Sequence, residues 1–376
     1  MIRRIPPLLG ILLFTAVALA ASSAKVLRFH KYSLMDPQGI GGEAASMLVP
    51  TDWKVDGRVV WRAHPALPAF GVVQATAPDG VTQFEAFPQM PFVDGVREMT
   101  ARAAQMAGPQ VAAQAAAQWP EGANYMGNEV RRVVRNPQTF IDRFVLPRNR
   151  QNVRYTVVKH EDLPKLAEAV ARAQPRNPGI NTSATAGRTR IEYRVGTATV
   201  EEDVYVVLVF NDMLQLQTNY WGTERSFACR APKGQLDEMS KLFQTMLDSQ
   251  RLNLQWFNKY NQVVQMLVQQ QIRNIQRVGE LSRYIAQTSS EISDMMRKSY
   301  EERQASQDRI NRNFSEYVRG VETYRDPDRG QTVELPSGYN NAWYNGSTSE
   351  YIVTDSQLYN PNVEAGGNWT KLEKRE

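Results

Sequence analysis

Runs in which apolar and polar residues alternate fill much of the first 250 positions and predict strands. Val26-Leu27-Arg28-Phe29-His30-Lys31-Tyr32 is the first. Met47-Leu48-Val49-Pro50, Val59-Val60-Trp61, Gly71-Val72-Val73-Gln74-Ala75 and Gln83-Phe84-Glu85-Ala86-Phe87 follow, separated by Pro, Gly and Asp turns. Val153 to Lys159 reads as another strand. Arg188 to Val195 and Thr197 to Phe210 read as a hairpin about Gly196, and Met213 to Trp221 and Phe227 to Ala231 add two more strands.

Helical spacing interrupts these runs. Arg97 to Gln118 is rich in Ala and Gln and is broken by Gly108-Pro109, so one or two helices should end near Trp119-Pro120. Asn136-Pro137 is an N-cap followed by proline at the first helical position. Asp162 is a cap for Leu163 to Gln174, and Leu236, Met239, Phe243 and Met246 recur at three and four.

Beyond Leu252 the pattern changes. Glutamine is frequent and proline absent up to Val321, and Val268, Ile272, Ile275, Val278, Leu281, Ile285, Ile292 and Met296 form a narrow stripe. One unbroken helix over that span would be about 100 Å long. Its stripe must pack on its own domain, fold back on itself or meet another chain, which makes homo-oligomerisation a candidate role. The final segment is punctuated by Asp326-Pro327-Asp328-Arg329-Gly330, Pro336-Ser337-Gly338, Asn345-Gly346 and Gly366-Gly367, with short strand-like runs between.

The expected fold class is therefore α+β: an antiparallel sheet with packed helices, followed by a long α-helix and a small C-terminal β module. The expected divisions are 1–20, 21–250, 251–325 and 326–376.

The first division reads as an export signal. Arg3 and Arg4 precede an apolar run from Leu8 to Leu19, and Ala18-Leu19-Ala20 fits a small-residue cleavage site. The run is shorter than the roughly 20 residues of a spanning helix, and no later stretch of that length is free of charge, so the mature chain should lack a transmembrane segment. Localisation is expected to be periplasmic or extracellular. The single cysteine, Cys229, does not follow the leader and has no partner, which speaks against a lipid anchor and an internal disulfide. Its alternating setting, Ser226-Phe227-Ala228-Cys229, reads as a buried, inert thiol.

Charge changes the picture little. The chain has 44 Lys and Arg against 39 Asp and Glu, and without Arg3 and Arg4 the net charge is 42 − 39 = +3. Mixed signs and export speak against a nucleic-acid partner. Residues 251–325 carry twelve basic against eight acidic residues, and 326–376 four against eight, so helix and tail have opposite net charge.

Motifs for catalysis are missing: there is no G-x-S-x-G, and His30, His64 and His160 show no zinc-binding spacing. Gly39-Ile40-Gly41-Gly42-Glu43-Ala44 matches a dinucleotide fingerprint but leads into a strand, so no cofactor is expected. Asp326 to Gly330 lacks the later ligands of a calcium loop and reads as a turn. Glu201-Glu202-Asp203 reads as a solvated strand edge. Glu192, Glu202 and Glu350 are carboxylates on which an envelope hydrolase acting on peptidoglycan or polysaccharide would rely, although none has a local signature.

The tail is rich in aromatics: Tyr339, Trp343, Tyr344, Tyr351, Tyr359 and Trp369 fall between Gly330 and Thr370. Such rings either build the small module's core or, where exposed, bind a partner protein or surface polymer, and one or two are expected to be exposed.

Two segments resemble known sequences. Val49-Pro50-Thr51-Asp52-Trp53-Lys54-Val55, the strand-rich middle and Phe227-Ala228-Cys229-Arg230-Ala231-Pro232 entering a helix resemble the PsbP/DcrB-like group of exported α/β domains over roughly residues 25 to 250. Phe314 to Pro327, continued by Val333-Glu334-Leu335-Pro336 and Trp343, resembles a tail of uncharacterised exported bacterial proteins. The resemblances imply export and a reusable terminal module, with no catalytic residues to carry over. The function expected from the sequence is that of an exported, non-enzymatic cell-envelope protein that binds a partner protein or surface polymer.

Overall fold

The computed structural model describes residues 26–62, 64, 67–174, 177–268, 301–302, 305, 308, 321–327 and 329–375. Residues 1–20 and the apolar stripe from Val268 onward lie outside them or at their limit.

In chain order the strands are β1 (Val26–Met35), β2 (Glu43–Pro50), β3 (Lys54–Trp61), β4 (Ala69–Thr76), β5 (Gln83–Ala86), β6 (Pro91–Asp94), β7 (Asn124–Tyr125) and β8 (Asn128–Val130). Then come β9 (Thr156–Asp162), β10 (Ile180–Val195), β11 (Ala198–Met213), β12 (Thr218–Pro232) and β13 (Arg251–Leu252). The tail adds β14 (Val321–Arg325), β15 (Thr332–Pro336), β16 (Asn341–Asn345), β17 (Glu350–Thr354), β18 (Trp369–Lys371) and β19 (Glu373–Lys374). The longer helices are α1 (Val96–Ala104), α2 (Pro109–Ala117), α3 (Pro137–Phe140, continued by a π turn Ile141–Val145), α4 (Leu146–Asn149), α5 (Pro164–Ala173), α6 (Ser240–Asp248) and α7 (Leu254–Val268).

The fold is α+β with antiparallel sheets, as the alternation predicts. The largest sheet runs β3-β4-β5-β12-β11-β10-β9, with β6 paired to the far end of β12, and to β8 in parallel. Its centre is the hairpin about Gly196, whose strands pair from Ile180↔Met213 to Val195↔Ala198. Gly196 has φ +59°, the left-handed conformation that favours glycine in such a turn.

A second sheet, β13-β2-β1-β17-β16-β18, joins the two ends of the chain: Val26 to His30 pair with Thr354 to Glu350. The tail strands therefore add directly to the first strand of the body. A third, three-stranded sheet, β15-β14-β19, is built from the tail and the end of the segment preceding it.

One face of the large sheet packs with α5 and α6 against the second sheet; Phe29, Val49, Phe84, Tyr205, Phe227, Phe243, Met246 and Val170 meet there with Leu335, Ala342 and Val353 of the tail. The other face carries Phe92, Phe210 and Trp221, covered by Phe140, Ile141 and Phe144. Phe92 stacks on Trp221 with ring centroids 4.6 Å apart.

Several boundaries differ from those the sequence predicts. Met213 to Trp221 crosses a hairpin turn instead of forming one strand: β11 ends at Met213, Gln217 has φ +51°, and β12 begins at Thr218. Asn136 caps α3 as expected, its side chain accepting from Thr139 N at 2.7 Å. Asp162 does not cap α5; it accepts from Gln138 Nε2, and Leu163 stands at the cap.

Of the expected long helix, the 15-residue α7 is described, and Val321–Arg325 at the end of that span form β14. Arg251 Nη1 lies 3.6 Å from Asp308. A straight helix would separate those positions by about 85 Å, so the chain has returned to the body by residue 308. No helix among the described residues is long and apolar enough to cross a membrane.

Candidate functional site

The third sheet carries a cleft of about 440 Å³ lined by Arg325, Gly330, Thr332, Glu373, Lys374 and Arg375. Local chemistry shapes it. In the turn from β14 to β15, Asp326 N donates to Gln331 O and Gly330 N to Asp326 O, both at 2.8 Å, and Arg329 N donates to the Asp326 carboxylate at 3.2 Å. Gly330 has φ +67°, so glycine suits this closure. Asp326 thus serves the turn, as the sequence suggested in preference to a calcium loop.

On the other side, β19 pairs Tyr324↔Lys374 and Arg325↔Glu373, and Arg375 N donates to Thr323 O at 2.9 Å. Arg325, Lys374 and Arg375 all line the exposed cleft, with Glu373 as the single carboxylate among the lining residues; in the paired strands Arg325 and Glu373 share one face, whereas Lys374 turns with Tyr324 to the other. Lys374 Nζ contacts Glu322 at 2.7 Å, whereas Arg325 and Arg375 form no ion pair among the described residues. Exposed guanidinium groups of this kind hold phosphate or carboxylate oxygens through charge-assisted hydrogen bonds.

The six tail aromatics do not form one exposed platform. Tyr339, Tyr344 and Tyr351 pack against the main core, and the Tyr344 and Tyr351 rings lie 4.7 Å apart. Trp369 is buried: its indole N–H donates to Gly366 O at 2.9 Å, and Arg28 of β1 lies over its ring. Trp343 is half-buried beneath Lys371, with no hydrogen-bond partner for its indole N–H among the described residues. Tyr359 is half-buried in the loop after β17, its backbone N donating to Ser356 Oγ at 3.2 Å. All six are at least partly covered, so the expectation of one or two exposed rings is not met. A small tail has few other large apolar groups with which to seal its junction to β1.

Arg329 connects this aromatic layer to the basic cleft. It donates to the Tyr344 hydroxyl at 3.1 Å, its guanidinium lies 5.2 Å from the Tyr344 ring, and it covers Gly346 so closely that a Cβ there would stand 2.5 Å from Nη2.

The carboxylates suited to a hydrolase are dispersed. Glu192 contacts Lys233 at 2.8 Å and pairs in register with Glu201, so it projects from the face of the sheet opposite to Glu202. Glu350 lies on β17, where Thr348 Oγ1 donates to it. Glu202 is 1% exposed and takes hydrogen bonds from Arg150.

This last placement corrects the reading of Glu201-Glu202-Asp203 as a solvated edge, for β11 lies between β10 and β12. Asp203, 3% exposed, projects to the other face and accepts from Arg188 and Arg190, which also reach Glu161 and Asp237. Burial works against the charge on Arg150, but Glu202 and Glu85 outweigh it and hold the guanidinium above its ordinary pKa. Both clusters are ion-paired within the fold and brace the central hairpin. Arg188 and Arg190, two residues apart on one strand with Arg190 in register opposite Asp203 on the next, were the available sequence signal.

Cys229 is buried, and burial pushes its thiol well above the ordinary value, consistent with an inert packing role. His64 is also internal: its Nδ1 accepts from Leu67 N at 2.9 Å and its Nε2 lies 3.2 Å from Asn128 Oδ1, while burial draws its pKa down. His160 Nδ1 lies 2.9 Å from Thr189 Oγ1. The Gly39 to Ala44 segment turns into β2, with Gly41 and Gly42 at positive φ, and so lacks the helix that a dinucleotide phosphate would meet. No group of three or more His, Cys, Asp or Glu able to hold a metal occurs among the described residues.

Compared with known proteins, the sequence matches no family model and no curated protein.

Proposed function

We propose that this is an exported, non-enzymatic protein of the cell envelope, periplasmic or extracellular, that binds an anionic surface polymer through its C-terminal sheet. The observation that carries the reading is Arg325 and Arg375 in one exposed cleft, neither with an ion-pair partner among the described residues, beside Lys374. A repeating polymer of phosphates or carboxylates suits such a site, because each weak, screened contact is repeated along the chain. The tail aromatics act by fixing this sheet to the body. The export signal and the resemblance of residues 25 to 250 to the PsbP/DcrB-like group belong to the same proposal. Nucleic acid is not the proposed polymer, since the chain's charge is mixed in sign and export removes most nucleic acid from reach. Self-association through the residues after α7 is a further part, which a concentration-independent monomer in light scattering would remove.

Co-sedimentation of the full chain with insoluble wall material tests the proposal. Binding should fall sharply at high salt and in the charge-reversed variant Arg325→Glu/Lys374→Glu/Arg375→Glu. Binding that is indifferent to both would point to a partner protein or another surface and contradict the polymer site.

A further inference from the structure

A separate cleft of about 330 Å³ lies where β6 joins the large sheet, with Arg62, Gln89, Met90, Phe92, Glu129 and Arg148 among its lining residues. Arg62 is held in place before any ligand arrives. Its Nε donates to Leu67 O at 3.0 Å, its Nη1 to Gln89 O at 2.8 Å, and its guanidinium lies 4.8 Å from the Phe70 ring centroid. No carboxylate pairs with it among the described residues, and its Nη2 is buried without a hydrogen-bond partner there. Burial draws its pKa down, partly offset by Tyr260, as expected for a cation lacking a counter-ion.

The remaining charges do not supply one. Glu129 is the sole acid among the lining residues and is shared: Arg131 Nε donates to it at 2.8 Å and Arg148 Nη2 at 2.9 Å. Three guanidinium groups thus stand against one carboxylate. Arg148 is fixed as well, lying 5.8 Å from the Phe92 ring centroid with Nη1 2.9 Å from Met90 Sδ. Phe92 is itself locked between Trp221 and Phe144. The loop across the cleft is equally constrained: Gly127 has φ +87°, and a Cβ on it would meet His64 at 2.8 Å.

We propose that this cleft binds a small organic carboxylate, its anionic end held by Arg148 and the unpartnered Nη2 of Arg62 and its apolar body resting on Pro91 and Ala123, which are half-buried in the lining. The charge excess calls for an anion, and a guanidinium fork matches a carboxylate. Pro91 and Ala123 give an acid with a compact apolar group a small contact that inorganic phosphate would not make. The volume is at the low end for small-molecule sites, which fits an acid with about one ring. The site is independent of the polymer reading, because the two clefts share no lining residue.

Calorimetric titration of the full chain with sodium benzoate tests it, with benzyl alcohol as the uncharged analogue and inorganic phosphate as the anion without an apolar part. Benzoate should bind saturably at one site, and benzyl alcohol and phosphate about tenfold more weakly or worse. Arg62→Gln should weaken benzoate by about tenfold and Arg148→Gln by about threefold or more. Thermal melts check that each variant is folded. If Arg62→Gln does not fold, Arg148→Gln, whose parent side chain is 42% exposed, decides together with benzyl alcohol. Absent benzoate binding, unchanged affinity in Arg148→Gln, or benzyl alcohol or phosphate binding as tightly as benzoate would overturn the assignment.

Discussion

Asp248 sits on α6 with 1% of its surface exposed; Gln244 Nε2 lies 2.7 Å from each carboxylate oxygen, and Glu334 of β15 is beside it. Burial pushes its carboxyl up, to about 8; the Gln244 hydrogen bond opposes this, Glu334 reinforces it, and Arg225 of β12 opposes it. Nearby, Arg251 donates to the Asp248 carbonyl and Lys241 to Ser337 O. The folded state therefore keeps a proton that the unfolded chain has released above its ordinary value of 3.8. Between about pH 4 and 8 the native state binds the extra proton, so stability falls as pH rises, by at most about 1.4 kcal/mol per pH unit from this group. Urea melts across that range should show the slope, and Asp248→Asn, which is neutral throughout, should flatten it. An unchanged slope in Asp248→Asn would show that the proton is held elsewhere.

At the level of elements, α7 is fastened to the body by a buried carboxylate. Asp36, 1% exposed, accepts from Gly39 N and Ile40 N and from the indoles of Trp61 and Trp256, at 2.9 to 3.1 Å. The Trp256 bond ties the first turns of α7 to the loop after β1, and Trp256, Phe257, Tyr260 and Val263 bury the helix's apolar side against Ile40, Ala44 and Ala69. Trp256→Phe keeps the ring and removes the donor, and should cost about 1.5–3 kcal/mol in a urea melt; a cost near zero would mean that the bond contributes nothing net. Much at this scale was legible in the sequence. Strands β1 to β5, the hairpin about Gly196, the broken helix pair α1 and α2 and the cap at Asn136 follow from local alternation, turn residues and capping chemistry. Their assembly did not follow, because pairing of β1 with β17 is a contact between ends of the chain that no local pattern encodes. The same limit hid both clefts: Arg325 and Arg375, like Arg62 and Arg148, come to line one cleft only through tertiary structure. Glu202 and Asp203 misled because charge in a strand ordinarily marks an edge, and Arg150, the partner of Glu202, lies outside the hairpin.

For the whole molecule, the tail is part of the main core as well as the proposed binding element. Leu335, Ala342, Val353 and Leu372 are buried in that core, with Tyr339, Tyr344 and Tyr351 packed against it. Burying each large apolar side chain contributes about 1.5–3 kcal/mol, so their joint removal rivals the total stability of about 5–15 kcal/mol usual for a domain. Deleting residues 326–376 should therefore abolish cooperative thermal unfolding; a truncated chain that melts as the full chain does would show that the body is complete without its tail. For this reason binding must be tested by point substitutions at exposed positions. The most direct measurement is the affinity of the full chain for a soluble linear polyanion, polyphosphate, as a function of salt. The polymer site predicts that log affinity falls linearly with log salt, and that Arg325→Gln and Arg375→Gln each lower the slope by about one. An affinity independent of salt, or a slope that neither substitution changes, would contradict it.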